Sequence, residues 1–406
     1  MSSPFVIVGG GLAGATAAEE LRTRGHDGPI ELIAAEEFRP YQRPPLSKEY
    51  LTGSGGLDDV FAHPDGWEAE HDVTLRTGVA ALRIGDHVVA LSDGSEVPFA
   101  KLLIATGAQP RPLDLPGGDA REVRTFRTLD DADALRGALQ GGDRRVVLLG
   151  SGWIGMELAA AARGYGNDVT VVARGRVPLA AAIGDELGLM YRRAHEEHGV
   201  VFRMDQDVAA IEVGDDGAAT GVRLGDEVVP ADLVLVGHGV EPDTTLAVTA
   251  GLDLDHGILV DERLQTSSPD IVAAGDVANA FHPVLRQRLR SEHWANAIAG
   301  GKVAASTMLG GDAVLDAIPY LYSDQYDVGM EYSGYPPLAD GAELVIRGDL
   351  ATRELVAFWV RDDRVVAGMN VNVWDVNEQV QRLIRDRVVV DRARLADPSV
   401  DLASLT

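Results

Sequence analysis

Three glycines near the start of the chain have the types and the spacing to bind a diphosphate group. Gly9, Gly11 and Gly14 follow an apolar run, residues 5–8, that predicts a buried strand, and a helix is predicted to begin near Leu12. In such a turn the first glycine permits the tight bend, the second lets phosphates approach the backbone, and the third lets helix and strand pack closely. Because a helix N-terminus also favours negative charge, the turn predicts a diphosphate site.

An acidic residue lies at the distance from this turn that an adenine dinucleotide requires. The next apolar strand, residues 30–34, leads to Glu36. A carboxylate about 20 residues beyond the glycines accepts hydrogen bonds from ribose hydroxyls. The alternative is a glycine-rich turn that binds no ligand, but strand, helix and acid occurring together favour the dinucleotide.

The same strand, turn and helix occur a second time along the chain. Residues 145–149 predict a buried strand, and a helix is predicted from Trp153 to about residue 165. Two such turns imply two dinucleotides. The residues predicted to bind the second one are Gly150, Gly152, Trp153, Ile154 and Gly155.

Two arginines bear on which nicotinamide coenzyme would occupy this second turn. The strand at residues 168–172 is followed by Arg174 and Arg176, where NAD-binding units carry an acid for the ribose 2′-hydroxyl. Arginines can instead accommodate a 2′-phosphate, which favours NADPH. In the alternative, both are solvated loop residues and NADH is the donor. Gly239, at the end of the strand that closes this unit, is a further predicted coenzyme contact.

The composition excludes several classes of reaction. The chain of 406 residues contains no cysteine, so it cannot relay electrons through a cysteine pair, act as a thiol peroxidase, or hold zinc or an iron–sulfur cluster through cysteine. No metal site is predicted. A formal charge of −27 argues against nucleic acid or an anionic membrane surface as a partner, because like charges repel. With no recognisable signal peptide and no apolar run of roughly 18 residues, we expect a soluble, cytoplasmic protein.

The order of strands and helices predicts the architecture. It is typical of an α/β protein with two Rossmann-like dinucleotide-binding domains, the second inserted in the first, and a small C-terminal α+β domain. Residues 257–260 and 271–276 are predicted to return to the first sheet. The predicted domains are residues 1–112 with 242–319 for the first dinucleotide, 113–241 for the second, and 320–406 for the C-terminal domain.

Several motifs together resemble those of the FAD-dependent NAD(P)H:ferredoxin reductases of bacterial oxygenase and cytochrome P450 systems. This family has a glutathione-reductase-like fold without redox cysteines, and the resemblance covers essentially the whole chain. Its most specific motifs are the proline-rich loop 40–48 (PYQRPPLSK), 105–107 (ATG), 127–132 (RTLDDA), 155–157 (GME), 274–276 (AGD) and 323–326 (SDQY).

The resemblance implies roles for individual residues. The first glycine turn and Glu36 would hold the adenosine diphosphate of non-covalently bound FAD. Lys48 would lie near the flavin N5 and pair with Glu157, and these two are the implied catalytic residues. A cation there stabilises the negative charge of the reduced flavin, and a carboxylate fixes the position of the cation. Further implied FAD contacts are Arg43, Ala80, Thr106, Gly107, Arg127, Asp276, the Trp294 backbone and Tyr322.

The sequence departs from the family pattern at two places. Relatives commonly carry tryptophan where this chain has Tyr322, so ring stacking is retained while the flavin potential is left open. Relatives that use NADH commonly carry an acid where this chain has Ala173 and Arg174, which leaves the coenzyme preference open.

The family implies that FAD accepts a hydride from NAD(P)H and passes single electrons to a [2Fe-2S] ferredoxin, which serves an oxygenase such as a cytochrome P450. A basic cluster, Arg286, Arg288 and Arg290, would guide an acidic ferredoxin or is a solvated loop. Two other functions stay open: reduction of a small acceptor (quinone, oxygen or monodehydroascorbate), and a redox-controlled binding role resembling that of apoptosis-inducing factor. A monomer or weak homodimer is expected from the resemblance.

Overall fold

The structure, a computed structural model, describes residues 3–405 of the chain. They form two compact units, each built from three stretches of sequence. The first unit contains the described residues within 1–42, 57–109 and 241–321. The second contains those within 43–56, 110–240 and 322–406. Among the described residues, no helix is both long enough and apolar enough to cross a membrane.

The strands are given in chain order. They are β1 (Phe5–Val8), β2 (Ile30–Ile33), β3 (Val73–Arg76), β4 (Ala81–Gly85), β5 (Val88–Leu91), β6 (Glu96–Pro98), β7 (Lys101–Ile104), β8 (Ala108–Pro110), β9 (Val123–Thr125), β10 (Arg145–Leu149), β11 (Asp168–Ala173), β12 (Val201–Met204), β13 (Ala210–Val213), β14 (Ala219–Leu224), β15 (Glu227–Pro230), β16 (Leu233–Val236), β17 (Val240–Pro242), β18 (Ile258–Val260), β19 (Ile271–Ala273), β20 (Ala278–His282), β21 (Gln287–Leu289), β22 (Tyr320–Gln325), β23 (Val328–Gly334), β24 (Glu343–Asp349), β25 (Glu354–Arg361) and β26 (Arg364–Val371).

The α-helices follow the same order. They are α1 (Leu12–Thr23), α2 (Glu49–Thr52), α3 (Trp67–Glu70), α4 (Leu129–Leu139), α5 (Trp153–Gly164), α6 (Ala180–Glu197), α7 (Thr245–Thr249), α8 (Trp294–Met308), α9 (Pro336–Ala339), α10 (Asn377–Asp386) and α11 (Arg392–Ala396). Short 3₁₀ helices span Pro44–Ser47, Asp58–Val60, Gly275–Val277 and Leu402–Leu405.

The first unit is organised around a parallel sheet in the order β19-β7-β1-β2-β3. Its central strand β1 carries Val6 and Ile7, both 0% exposed. A parallel strand covered on both faces must be apolar throughout, which is why the run is uninterrupted. The strand ends at the first glycine turn, at the sheet edge where ligands bind in open α/β sheets.

Helix α8 packs closely against α1 within this unit. A Cβ added at Gly301 would lie 2.6 Å from the carbonyl oxygen of Ala13, so only glycine fits there without a shift. The contact fixes the first turns of α1 against the body of α8. It therefore helps to hold the glycine turn that precedes α1 in place.

The second unit repeats the arrangement. Its parallel sheet runs β12-β11-β10-β16-β9. The strand β10 lies between β11 and β16, as β1 lies between β2 and β7 in the first unit. The strand β10 ends at the second glycine turn, and α5 follows. A separate sheet in the order β22-β23-β26-β25-β24 is formed by the strands of the C-terminal residues and pairs antiparallel along β23, β26, β25 and β24.

The predicted α/β fold class is confirmed, and one predicted pairing is wrong. Strand β19 joins the first sheet beside β7, as predicted. Strand β18 does not, because it pairs in parallel with β20, which pairs in turn with β21 in a separate three-stranded sheet. The division into three domains stays a prediction; residues 1, 2 and 406 at the ends of those domains lie outside the described residues.

Candidate dinucleotide and redox site

The first glycine turn has the geometry of a backbone that receives a ligand. Gly9 has a φ of 130°, and a Cβ there would lie 2.1 Å from the carbonyl oxygen of Ala105. A Cβ at Gly14 would lie 2.2 Å from the carbonyl oxygen of Gly9, so helix and turn are in direct contact. At Gly11, by contrast, a Cβ would meet no described atom within 4 Å. The outer two glycines are required by packing, and the middle one leaves open space.

The second glycine turn repeats this pattern. Gly150 has a φ of 112°, and a Cβ there would lie 2.2 Å from the carbonyl oxygen of Gly237. A Cβ at Gly155 would lie 2.6 Å from the carbonyl oxygen of Gly150, whereas one at Gly152 would meet no described atom within 4 Å. Packing again explains two glycines, and the open space at the third fits a diphosphate approaching the backbone.

The helices that follow the two turns begin without a side-chain cap within residues 3–405. The residue before α1 is Gly11, with φ −88° and ψ −178°, and the residue before α5 is Gly152, with φ −78° and ψ −178°. The first N–H groups of a helix lack partners inside the helix. Both helix starts can therefore donate to the oxygens of an anion, so both turns fit the dinucleotides that the sequence implies.

In the first unit, Glu36 follows β2 and accepts a hydrogen bond of 2.5 Å from the Tyr41 hydroxyl. This bond holds the carboxylate that was predicted to bind ribose. The Thr106 hydroxyl donates to the carbonyl oxygen of Asp243 at 2.7 Å, and the Asp243 N–H donates to Gly107 at 3.0 Å. Both residues of the predicted Thr-Gly pair are thus tied to one loop of the same unit.

Three more predicted FAD residues belong to the first unit. Ala80 donates its N–H to the Ser92 hydroxyl at 3.0 Å. Asp276 lies in the 3₁₀ turn after β19. Burial lowers the pKa of the neighbouring His293 to about 4, and the charge of Asp276 acts in the opposite direction. Trp294 begins α8 and donates its indole N–H to the Gln42 side chain at 2.9 Å.

In the second unit, Lys48 and Glu157 form a buried ion pair. The Lys48 Nζ lies 2.9 Å from Oε1 and 3.0 Å from Oε2 of Glu157, with 7% and 3% of the two side chains exposed. Lys48 follows the 3₁₀ helix of the proline-rich loop, and Glu157 lies in the second turn of α5. The carboxylate also accepts from the hydroxyls of Ser47, at 2.5 Å, and Ser323, at 2.7 Å. Three donors therefore fix its position.

Tyr322 lies close to this pair in the same unit. The Lys48 Nζ is 5.2 Å from the centre of the Tyr322 ring, within cation–π range. Burial, followed by the charges of Glu49, Asp324 and Glu157, raises the pKa of Tyr322 to about 12. The phenol is therefore neutral at physiological pH, and its ring can serve as an apolar stacking surface.

Arg43 and Arg127 meet in the second unit. An Nη1 hydrogen of Arg43 donates to the Arg127 carbonyl oxygen at 2.5 Å. The N–H of Arg127 donates to Asp131, whose carboxylate forms a capping box with Thr128 at the start of α4. The helix cap thus positions the second predicted arginine, and the first is anchored to it.

The predicted coenzyme residues of the second unit belong to the turn before α5 or follow β11 and β16, the two strands that flank β10. Trp153 packs edge-on against Tyr191 with ring centres 5.6 Å apart, and the Ile154 side chain is 44% exposed. Arg174 and Arg176 are both exposed after β11, and Arg174 Nε lies 2.8 Å from the Asp207 carboxylate. Gly239 has a φ of 101° and accepts a backbone hydrogen bond from Arg111.

The basic cluster predicted to guide a ferredoxin belongs to the first unit, and two of its arginines already have protein partners. Arg288 donates to the carbonyl oxygens of Val260, at 2.8 Å, and Asn279, at 3.1 Å. Arg290 forms an ion pair of 2.6 Å with Glu292. Arg286 is exposed. A docking role for the cluster stays a prediction.

Sequence reasoning predicted Lys48 as a partner of Glu157 but missed its hydroxyl partners and the residues behind them. Ser323 and Gln325 belong to a quoted motif, yet no role was inferred for them, and His195 was not singled out. The structure joins them: Gln325 bonds to Ser323 at 3.0 Å and to His195 at 2.8 Å. The only available signal was the alternation of polar residues at positions 323 and 325 of β22, which places them on one face of a strand.

The chain matches the family model described as pyridine nucleotide-disulphide oxidoreductase over residues 3–301, and the model described as reductase C-terminal over residues 320–406. It belongs to the pyridine nucleotide-disulphide oxidoreductases. The family implies FAD and NAD(P)H, and the predicted oxidoreductase class is confirmed.

Individual relatives make the resemblance more specific. A probable ferredoxin reductase of Castellaniella defragrans is 40% identical, covering 98% of this chain and 98% of the relative. The anthranilate 1,2-dioxygenase system ferredoxin–NAD(+) reductase component of Burkholderia cepacia is also 40% identical, covering 99% and 98%. The crystal structure of the covalent putidaredoxin reductase–putidaredoxin complex matches with a TM-score of 0.95 at 33% identity, covering 100% of this chain and 98% of the other. The resemblance to ferredoxin reductases stated from the sequence motifs is confirmed.

Proposed function

We propose that the chain is an FAD-dependent ferredoxin–NAD(P)+ reductase that supplies single electrons to a [2Fe-2S] ferredoxin serving an oxygenase, for example a cytochrome P450. The observation that carries the proposal is the pair of matching glycine turns in a chain without cysteine. Two dinucleotide sites allow electrons to pass from a nicotinamide to a flavin. Without a cysteine pair, the electrons must then leave to an acceptor outside the chain.

Bound FAD would convert the two-electron chemistry of the nicotinamide into one-electron transfer, which the protein side chains cannot do. The residues of this chain bind and orient. The first turn and Glu36 would hold the adenosine diphosphate, and Arg43 and Arg127 would contact the remainder. Lys48, fixed by Glu157, would place a positive charge beside the ring. The relatives named as ferredoxin reductases of oxygenase systems support ferredoxin as the acceptor.

The first test is reduction of cytochrome c by the FAD-loaded protein with and without an added [2Fe-2S] ferredoxin. We expect ferredoxin to raise the rate by about tenfold or more, since a one-electron carrier must reach the flavin. If several ferredoxins had no effect while a quinone or oxygen turned over rapidly, a small-molecule acceptor would replace the ferredoxin. Slow hydride transfer with a dimer appearing only on reduction would instead indicate a redox-controlled binding role.

We further propose that NADPH is the preferred donor, because Arg174 and Arg176 are both exposed at the end of β11, where a 2′-phosphate would lie. The alternative, supported by the NAD(+) in the name of the Burkholderia relative, is NADH. The Asp207 carboxylate, which lies 2.8 Å from Arg174 Nε, would repel the negatively charged 2′-phosphate of NADPH. The monomeric or weakly dimeric state also stays a proposal.

Replacing Arg174 and Arg176 together by alanine is expected to lower kcat/KM for NADPH relative to NADH by about 100-fold or more, since two charge-assisted contacts worth ~1.5–3 kcal/mol each are lost. Asp207→Asn is expected to change the ratio in the opposite direction. Arg192→Ala is the matched control, because Arg192 is a surface arginine of the same unit paired with Glu196 at 2.7 Å. If the wild-type protein preferred NADH and the double substitution had no effect on this preference, the two arginines would be solvated loop residues.

A further inference from the structure

A continuous line of buried side-chain hydrogen bonds leads from Glu157 to the middle of the second unit. Ser323 Oγ lies 2.7 Å from Glu157 Oε1, Gln325 Nε2 lies 3.0 Å from Ser323 Oγ, and His195 Nε2 lies 2.8 Å from Gln325 Oε1. The four residues are between 0% and 4% exposed. They come from α5, β22 and α6, so the line joins three elements of one unit.

The direction of every hydrogen bond in the line follows from the Glu157 carboxylate, at which the line ends. The Glu157 carboxylate accepts, so the Ser323 hydroxyl donates to it. That hydroxyl oxygen then accepts from the Gln325 amide nitrogen, which turns the amide oxygen toward His195. An oxygen can only accept, so His195 must carry its proton on Nε2. The carboxylate therefore fixes the direction of the Ser323 hydroxyl, and Gln325 and His195 complete the line only with the matching amide orientation and tautomer.

The surroundings of His195 hold the ring in this state. Burial lowers its pKa to about 4, so the ring is neutral at physiological pH. Its Nδ1 has no hydrogen-bond partner among the described residues. Phe202 and Tyr326 pack edge-on against the ring, with ring centres 6.2 Å and 4.9 Å away. The Nε2–H is thus the one proton through which the ring can bond to Gln325.

Stability alone does not account for such a line. A buried polar group gains little over an apolar side chain of similar shape, and it costs free energy whenever a partner is lost. The line ends on the carboxylate that holds Lys48, and that carboxylate has only two other side-chain donors among the described residues, Lys48 and Ser47.

We infer that Ser323, Gln325 and His195 are positioning residues that orient Glu157 and, through it, set the electrostatic field that Lys48 and Glu157 present to the flavin. This inference rests on the proposed function, in which Lys48 lies beside the flavin. A donor removed from Glu157 leaves its negative charge less compensated. The field then opposes reduction of the flavin more strongly, and the midpoint potential falls.

The test compares Ser323→Ala and Gln325→Met with Ser323→Thr, which keeps the hydroxyl. We expect the two disruptive variants to lower the equilibrium constant for two-electron flavin reduction by about threefold to tenfold, or about 15–30 mV. Ser323→Thr should restore the wild-type potential. The matched control is Ser333→Ala, which removes a buried hydroxyl of the neighbouring strand β23 that is bonded to Asn377 at 2.6 Å, away from Glu157.

A second measurement does not depend on the flavin. The ¹⁵N NMR spectrum of the full chain labelled at histidine should show His195 with its proton on Nε2, and this signal should change in Gln325→Met but not in Ser333→Ala. A proton on Nδ1, or potentials in Ser323→Ala and Gln325→Met that match the control, would overturn the inference. A wild-type protein that binds FAD, shows the Nε2 proton and yet transfers no electrons to ferredoxin would instead count against the proposed function.

Discussion

Replacing Lys48 by methionine is expected to slow hydride transfer by about tenfold or more, to lower the flavin potential and to destabilise the protein. Removing one partner of a buried ion pair costs about 3–5 kcal/mol, because the other charge stays buried. Only 7% of the Lys48 side chain and 3% of the Glu157 side chain are exposed, so water cannot replace the lost partner. A unit charge about 4 Å away is worth about 4 kcal/mol at an effective dielectric constant of about 20, enough for the rate effect.

Glu157→Gln separates the electrostatic role of the pair from its structural role. It should also destabilise the protein, because Lys48 then lacks a counter-charge. The flavin potential, however, should rise, since the net charge beside the ring becomes more positive. The double variant should be more stable than the sum of the two single losses implies, as expected for residues in contact. Flavin potentials, stopped-flow reduction rates and denaturant unfolding of all four proteins test this.

Lys101→Met is the matched control for the loss of a lysine in an ion pair. Lys101 lies 2.7 Å from Asp270, but about a third of each side chain is exposed, 32% and 34%. Exposed pairs contribute ~0–1 kcal/mol, so this variant should keep its potential and nearly all of its stability. Potentials that do not move in opposite directions in Lys48→Met and Glu157→Gln would contradict the placement of the pair beside the flavin.

The parts of the fold that sequence predicted well are those with local signals. A strand, a glycine turn and a helix follow one another within about 20 residues, and each glycine has a distinct reason to be there. The structure separates those reasons: Gly9 and Gly14 are held by backbone contacts at 2.1 Å and 2.2 Å, while Gly11 faces open space. These contacts agree with the separate roles that the sequence pattern gave to the three glycines.

Three features were missed because their signals are non-local or broken. No helix was predicted for α6, although Ile183, Leu187 and Tyr191 recur on one face; Gly184, at φ 79° and ψ 171°, interrupts it. The strand β18 was assigned to the wrong sheet because a short apolar run does not indicate which strand it pairs with. The bond between His195 and Gln325 joins residues 130 positions apart, so no spacing rule could have found it.

Placing an aspartate at the middle glycine of each turn should show which dinucleotide each turn binds. Gly11→Asp and Gly152→Asp both fall at the residue before a helix, where the backbone is extended and a Cβ meets no described atom within 4 Å. Aspartate is among the preferred residues at that position, so the helices should form normally. Its carboxylate, however, would occupy the open space and repel the phosphates.

Gly11→Asp is therefore expected to fold but to lose bound FAD, seen as loss of the flavin absorption with an unchanged far-ultraviolet circular dichroism spectrum. Gly152→Asp should keep its flavin, which dithionite would still reduce, while NADPH and NADH would reduce it at least about a hundredfold more slowly. Gly14→Ala and Gly155→Ala serve as controls for packing, because their Cβ atoms would lie 2.2 Å and 2.6 Å from carbonyl oxygens. Such overpacking costs ~1–3 kcal/mol whether or not a ligand is bound. If Gly11→Asp retained FAD, or Gly152→Asp were reduced normally by both coenzymes, the matching geometry of the two turns would not reflect two dinucleotide sites.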